Sequence, residues 1–180
     1  MKAVLISIRP KWCEKIISGE KTIEVRKTHP NLLPPFKCYI YCTRNGRDPD
    51  RLWVLNDQAR KEYDGLVAVC ANLRRCPECH FLGSGKVIGE FICDLVYELA
   101  PLNHAPDDAE QQACLTQEEI ARYLKGIGYG WHISGLKIYD TPRELREFTG
   151  LRQTKFGAEP VPITRPPQSW CYVEEQTWED

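Results

Sequence analysis

The sequence has no long hydrophobic run near its start. Between Lys2 and Arg9 stand only five apolar residues, whereas a secretory signal needs about 7 to 15 and a membrane-spanning helix about 20. We therefore expect a cytoplasmic protein that makes no use of a membrane. Internal repeats and low-complexity segments are also lacking, which argues against repeat architectures and a largely disordered chain.

An excess of charge of one sign is lacking as well. The net charge is −1 over 180 residues, so the whole molecule carries no strong field that would attract nucleic acid or an anionic membrane. The charge is uneven, however, because residues 1–30 hold seven Lys or Arg against three Glu, and the last ten residues carry four acidic side chains and no basic one. This pattern permits a local basic face, although an uneven scatter of solvated charge explains it equally well.

Nine cysteines without an export signal favour reduced thiols over a disulfide framework. Cys38 and Cys93 lie in apolar, strand-like runs and are expected to be buried. Cys76 and Cys79 have the spacing of half a zinc site, with Cys70 and His80 nearby. No second pair at this spacing follows, so we expect free thiols over a structural zinc ion, and no cofactor.

Length and composition predict one domain over residues 1–180, with residues 44–84 as an insertion. The patterns indicate about six strands and two to three short helices. The strands are mostly separated by irregular loops, which favours an α+β, mainly-β fold built as a small barrel or twisted sheet. Residues 85–99 form the best candidate for the centre of the sheet, with Gly89 at a bulge or a close backbone approach.

Three segments carry helix start signals. Pro10 fits the first turn of a helix that buries Cys13, Ile16 and Ile17 and ends near Gly19. Thr116 and Glu119 form a capping box for a helix that runs to about Lys125. The segment "TPREL" repeats the signal, with Thr141 as N-cap, and predicts a further helix of one or two turns.

The segment "GEKTIEVRK", residues 19–27, predicts a strand with one charged face. Ile23 and Val25 alternate with Glu24 and Arg26, so the apolar pair meets the core and the charged pair shares the other face, with Lys21 just before it. Two charged residues on one strand face can pair or contact a common ligand. A solvated strand face with alternating charge is the simpler interpretation.

The pattern Gly19-x-Lys21-x-x-Glu24-x-Arg26 resembles the signature of the ASCH domain family, which belongs to the PUA-like superfamily. The segments "GKVIGEF", "GYGWHISGLKIYD" and "PPQSWCYVEE" resemble a branch of that family common in phages and prophages. The resemblance implies a PUA-like β-barrel and a cleft that takes RNA or a modified nucleoside or nucleotide. In that cleft Lys11, Lys21 and Arg26 would supply cations, and Glu24 would accept a hydrogen bond from a base or hold Arg26.

Some ASCH proteins resemble amidohydrolases that remove an acyl group from modified cytidine, and ribonuclease activity has been proposed for others. Lys21 matches the lysine of the amidohydrolase motif, but Glu24 stands where that motif has a threonine nucleophile. If the protein is an enzyme, Lys21 and Glu24 are the expected catalytic residues. Because Glu24 opposes the lowering of the Lys21 pKa that general base catalysis needs, we favour binding.

Aromatic residues supply a second set of candidate ligand contacts. Trp131 and Tyr41 are expected to stack bases at the cleft, with Lys137 as a companion cation. The alternative is that Trp131 and Trp170 fill the barrel. Since His132 alternates with Trp131 on a strand, only one of these two side chains should face the core.

Overall fold

A computed structural model describes residues 1–44, 83, 85–99 and 105–177. These ranges contain ten strands, three α-helices and a 3₁₀ turn at Leu145–Glu147. The strands are β1 Lys2–Ile8, β2 Ile23–Arg26, β3 Phe36–Cys42, β4 Val87–Cys93, β5 Val96–Glu98, β6 Tyr129–His132, β7 Ser134–Arg143, β8 Thr149–Thr154, β9 Gly157–Pro162 and β10 Trp170–Glu174. The helices are α1 Pro10–Ile17, α2 Ala109–Ala113 and α3 Gln117–Leu124.

None of these helices has the length and apolar character of a membrane span. The predicted insertion lies almost wholly outside the described residues.

Seven strands form one mixed sheet in the order β7-β4-β3-β1-β10-β8-β9, and three form a second sheet in the order β2-β6-β5. The first sheet ends at β7 and β9 and does not close on itself within the described ranges. The α+β, mainly-β class is therefore confirmed, whereas closure into a barrel is not. The expected count of about six strands is too low because hairpin strands such as β9, which carries two prolines, lack the usual strand composition.

Strand β1 occupies the centre of the larger sheet. Residues 3–8 are all buried, as expected for a strand covered on both faces. β1 pairs with β3 in parallel and with β10 in antiparallel orientation. The prediction that residues 85–99 form the centre of the sheet is wrong. Strand β4 ends at Cys93, and the following strand, β5, belongs to the smaller sheet.

Gly89 lies in β4 where the backbone of β7 comes close. A Cβ atom at this position would collide with the carbonyl oxygen of Lys137, and the register between β4 and β7 shifts at the same place. The predicted close backbone approach is confirmed. Its physical basis is that only glycine leaves room for the neighbouring main chain.

Two of the predicted helices form as expected. Pro10 opens α1, Cys13 and Ile16 are buried on its inner face, and Gly19 follows with a φ angle of +77°. In α3 the side chain of Thr116 accepts a hydrogen bond from the N–H of Glu119, and the Glu119 carboxylate accepts one from the N–H of Thr116. Local capping chemistry thus fixes both helix starts.

The helix predicted from "TPREL" does not begin at Thr141. Strand β7 continues through Pro142 to Arg143, which pairs with Val87 of β4. Because β7 is an end strand of the sheet, a proline without an N–H donor is tolerated there. Strand pairing therefore overrides the start signal, and the short 3₁₀ turn begins only after Glu144.

The described cysteines are free thiols, four of them buried, including Cys38 and Cys93 as predicted. Burial raises the pKa of Cys93 to about 12 and that of Cys171 to about 11. Because the thiolate is the reactive form, we expect slow alkylation of Cys171 by iodoacetamide at pH 8, with the rate rising as the pH approaches 11. Site-resolved mass spectrometry measures this rate, and urea-unfolded protein is the control. Equal rates in native and unfolded protein at pH 8 would contradict the prediction.

Candidate functional site

Strand β2 places apolar and charged side chains on opposite faces. Ile23 and Val25 pack with α2 and α3, so the predicted alternation is correct. Lys21, Glu24 and Arg26, here called the charged triad, are 2%, 5% and 7% exposed. The interpretation of this strand face as solvated is therefore wrong: the charges are buried.

The carboxylate of Glu24 joins the two cations of the triad. Its Oε1 lies 2.9 Å from Nη2 of Arg26, and its Oε2 lies 3.5 Å from Nζ of Lys21. Removing charges from water is costly, and the cost is repaid only when good geometry and further hydrogen bonds satisfy each group. The surroundings of the two cations supply such bonds.

Main-chain carbonyls hold both cations of the triad. Lys21 Nζ donates to the carbonyl of Ala113 at 2.7 Å, and Arg26 Nη2 donates to the carbonyl of Ser7 at 2.6 Å. Arg26 Nη1 also reaches Ser169 Oγ at 3.4 Å. The Nε of Arg26 has no hydrogen-bond partner among the described residues. The triad therefore ties β2 to the end of α2, to β1 and to the segment that precedes β10.

Burial lowers the pKa of the Lys21 ammonium from its ordinary value. The nearby Glu24 carboxylate acts in the opposite direction, as expected from the sequence, but burial is the larger influence. Three neighbours nonetheless stabilise the protonated ammonium: the Ala113 carbonyl, the Glu24 carboxylate and the ring of Trp12.

The triad faces a cleft of about 400 Å³. This space, called the cleft below, is lined by residues from both sheets, from two helices and from five connecting segments. Its lining residues are Ser7, Arg9, Trp12, Lys21, Glu24, Val25, Arg26, Thr43, Leu115, Tyr123 and Gln168. Buried charges thus form part of its wall, and aromatic, polar and aliphatic residues form the rest.

Two aromatic rings that line the cleft each carry a lysine ammonium. Trp12 is half-buried, with Lys11 Nζ at 4.7 Å and Lys21 Nζ at 5.0 Å from the ring. Tyr123 is exposed, with Lys27 Nζ at 5.5 Å. These distances are within the range of cation–π attraction. Lys11 therefore lies beside the cleft through its contact with Trp12, and its role as a cationic ligand contact stays a prediction.

The three other residues predicted to contact a ligand are elsewhere. Trp131 is fully buried, with Phe36 and Trp170 at ring distances of 5.9 and 6.1 Å; its predicted place at the cleft is wrong, and it fills the core. Tyr41 is buried in a separate cluster, and Lys137 is exposed on β7 opposite Glu90. His132 points away from the core and contacts Asp94 at 2.6 Å, so the predicted alternation with Trp131 is correct.

Trp12 is the main lining residue that the sequence interpretation missed. A local signal was available, because Trp12 stands four residues before Ile16 at the edge of the apolar stripe of α1. Thr43 and Gln168 carry no such signal. They belong to connecting segments far apart in the chain, and only the pairing of β1 with β3 and β10 brings them to the cleft.

The predicted half zinc site of Cys76 and Cys79, with Cys70 and His80, lies outside the described residues. Within the ranges that the structure covers, no group of three or more His, Cys, Asp or Glu side chains has the arrangement of a metal site. The pair at 76 and 79 therefore stays a prediction.

The fold is that of solved ASCH structures from Zymomonas mobilis. No family model matches the sequence, and no curated protein matches it either. The crystal structure of Zymomonas mobilis ASCH aligns with a TM-score of 0.51 and 16% identity, over 96% of this chain and 88% of that chain. A variant of that protein with one tyrosine changed to phenylalanine gives 0.52 and 16% over 97% and 92%. A variant with one serine changed to alanine gives 0.51 and 15% over 96% and 89%. The structural alignments show a common fold, and identity this low transfers no residue roles.

Proposed function

We propose that this chain is an ASCH-type, PUA-like domain that binds RNA or a modified nucleoside or nucleotide in the cleft. The observation that carries the proposal is the burial of a charged triad in the wall of a concave space. Buried ion pairs are rarely the most stabilising way to fill a protein interior. A ligand that uses their hydrogen-bonding groups gives such an arrangement a purpose.

The size and lining of the cleft support a ligand of about one nucleoside. Small-molecule sites are typically concave spaces of about 300 to 1,000 Å³ with a few well-placed polar groups. The cleft lies within this range. Trp12 offers a partly exposed ring for stacking a base, while Glu24 can accept and Gln168 can donate or accept hydrogen bonds at the base edge.

The sequence resemblance points to the same site. The motif residues Lys21, Glu24 and Arg26 come together at the cleft, and the fold is shared with ASCH proteins. Closure of the sheets into a PUA-like barrel and kinship with the phage-associated branch belong to this proposal. A cytoplasmic location accords with an RNA or nucleotide ligand.

A binding screen with nucleosides and short RNA oligomers tests the proposal. We expect wild-type protein to bind at least one of these ligands at low salt, and we expect Trp12→Leu to weaken that binding by about 1 to 3 kcal/mol because one stacking contact is lost. Isothermal titration calorimetry measures both. Phe156→Leu is the matched control, since Phe156 is exposed but does not line the cleft.

Two outcomes would count against the proposal. No binding of any nucleoside or oligomer by wild-type protein at low salt would favour a protein-interaction module with an unused cleft. Equal losses for Trp12→Leu and Phe156→Leu would place the ligand away from the cleft. A melting curve for each variant separates loss of binding from loss of fold.

A hydrolase acting on an acylated nucleoside or on RNA is the second candidate. It is favoured by the burial that lowers the pKa of Lys21, because a general base must be deprotonated near neutral pH. Thr43 also supplies a hydroxyl group to the cleft lining. Turnover of an acylated cytidine panel by wild-type protein, abolished in Lys21→Met, would favour this function. Turnover no faster than in buffer would remove it.

A further inference from the structure

We propose that the cleft takes one base of a single-stranded nucleic acid, whose flanking phosphates bind Lys11 and Lys27. This inference rests on the proposed function and narrows its ligand from a free nucleoside to a phosphodiester chain. The two lysines come from different elements: Lys11 is in the first turn of α1, and Lys27 directly follows β2.

Both lysines lie at the edge of the cleft. Their side chains are exposed, and each holds its ammonium over an aromatic ring that lines the cleft. A base that stacks on Trp12 or Tyr123 competes with the ammonium for the ring. Since the lysine stems are flexible and the ammonium groups already lie at the edge of the cleft, the displaced cations are placed to meet the backbone phosphates of the incoming strand.

Cations outnumber anions at the cleft. The triad contributes two cations and one anion, and Arg9, Lys11 and Lys27 add three cations at or beside the cleft. Arg9 forms no ion pair with the residues that the structure describes. Glu119 is the acidic neighbour of Lys11, but its carboxylate accepts a hydrogen bond from the N–H of Thr116 at 2.9 Å. A protein with a net charge of −1 thus concentrates positive charge at one cleft. A neutral nucleoside has no negative charge to pair with these cations, whereas a phosphodiester chain has one at each phosphate.

Salt dependence of binding separates a phosphodiester chain from a nucleoside. We expect wild-type protein to bind short ribonucleotide homo-oligomers more tightly than the matching nucleosides, with nucleoside 5′-monophosphates in between. In the double variant Lys11→Gln/Lys27→Gln, the affinity ratio of oligomer to nucleoside should fall. The slope of log affinity against log salt for the oligomer should also drop by about 0.7 for each lost phosphate contact. Deoxyribonucleotide oligomers, run in parallel, show whether the sugar is also read.

Lys155→Gln is the matched control for the double variant. Lys155 also lies over an exposed ring, that of Phe156 at 4.9 Å, but neither residue lines the cleft. This variant should keep the wild-type ratio and slope. A double variant with an unchanged oligomer slope would overturn the inference while leaving the Trp12 result intact. Equal loss of nucleoside and oligomer affinity would also overturn it, because the lysines would then act only on the rings. Absence of binding by wild-type protein would remove the proposed function and this inference together.

Discussion

Replacing Glu24 with glutamine is expected to lower the free energy of unfolding by about 3 to 5 kcal/mol. The substitution keeps the size of the side chain but removes the carboxylate charge that lies between Lys21 and Arg26. Two buried cations then lie near each other without a counter-charge. They retain only neutral partners, which are two main-chain carbonyls, the Trp12 ring and Ser169 Oγ. Urea denaturation followed by circular dichroism measures the change.

Glu159→Gln is the control for this prediction. Glu159 also pairs with an arginine, at 3.3 Å, but both partners are largely exposed. Pairs of this kind contribute about 0 to 1 kcal/mol. If Glu24→Gln and Glu159→Gln cost the same, the triad is solvated in solution and the cleft wall holds no buried charge for a ligand to use.

The cost of breaking the triad does not measure its net contribution to the stability of the fold. Breaking a buried ion pair is costly, yet replacing all of its members by well-packed apolar residues is often neutral or even stabilising. Burial alone therefore does not favour charged over apolar side chains at these positions. The placement of three buried charges against the cleft supports the proposed ligand site for this reason.

Features set by near neighbours in the chain could be predicted from the sequence. The start of α1 at Pro10, the capping box of α3 and the alternation of Ile23 with Glu24 depend on dihedral preferences and hydrogen bonds within a few residues. The close approach at Gly89 was also predicted, because a glycine within a strand pattern signals missing space.

Features set by distant strands could not be predicted. The segment at Thr141 carries a helix start signal, but pairing with β4 holds it in β7. Whether Glu24 is solvated depends on α1, on α2 and on the segment before β10, none of which the strand pattern encodes. The same holds for Trp131, whose burial follows from the smaller sheet lying against the larger one. Periodicity gives the face of a strand, and the tertiary fold decides what covers that face.

Replacing Trp131 with alanine is expected to lower the free energy of unfolding by about 3 to 5 kcal/mol, because a fully buried indole leaves a large cavity. Trp131→Phe should cost much less, since it keeps an aromatic ring and removes an indole N–H that has no hydrogen-bond partner in the described part of the chain. Urea denaturation measures both variants.

The same variants separate the core tryptophan from the cleft tryptophan. Under conditions where the protein stays folded, Trp131→Phe should bind a nucleoside or oligomer as wild type does, whereas Trp12→Leu should not. Trp12 is half-buried at the cleft wall, so its replacement should cost less stability than Trp131→Ala and more affinity than Trp131→Phe. Should Trp131→Phe weaken binding as much as Trp12→Leu does, the base would stack on Trp131. The indole ring would then have to leave the core when the ligand binds, which a well-packed interior opposes because of the contacts it would lose.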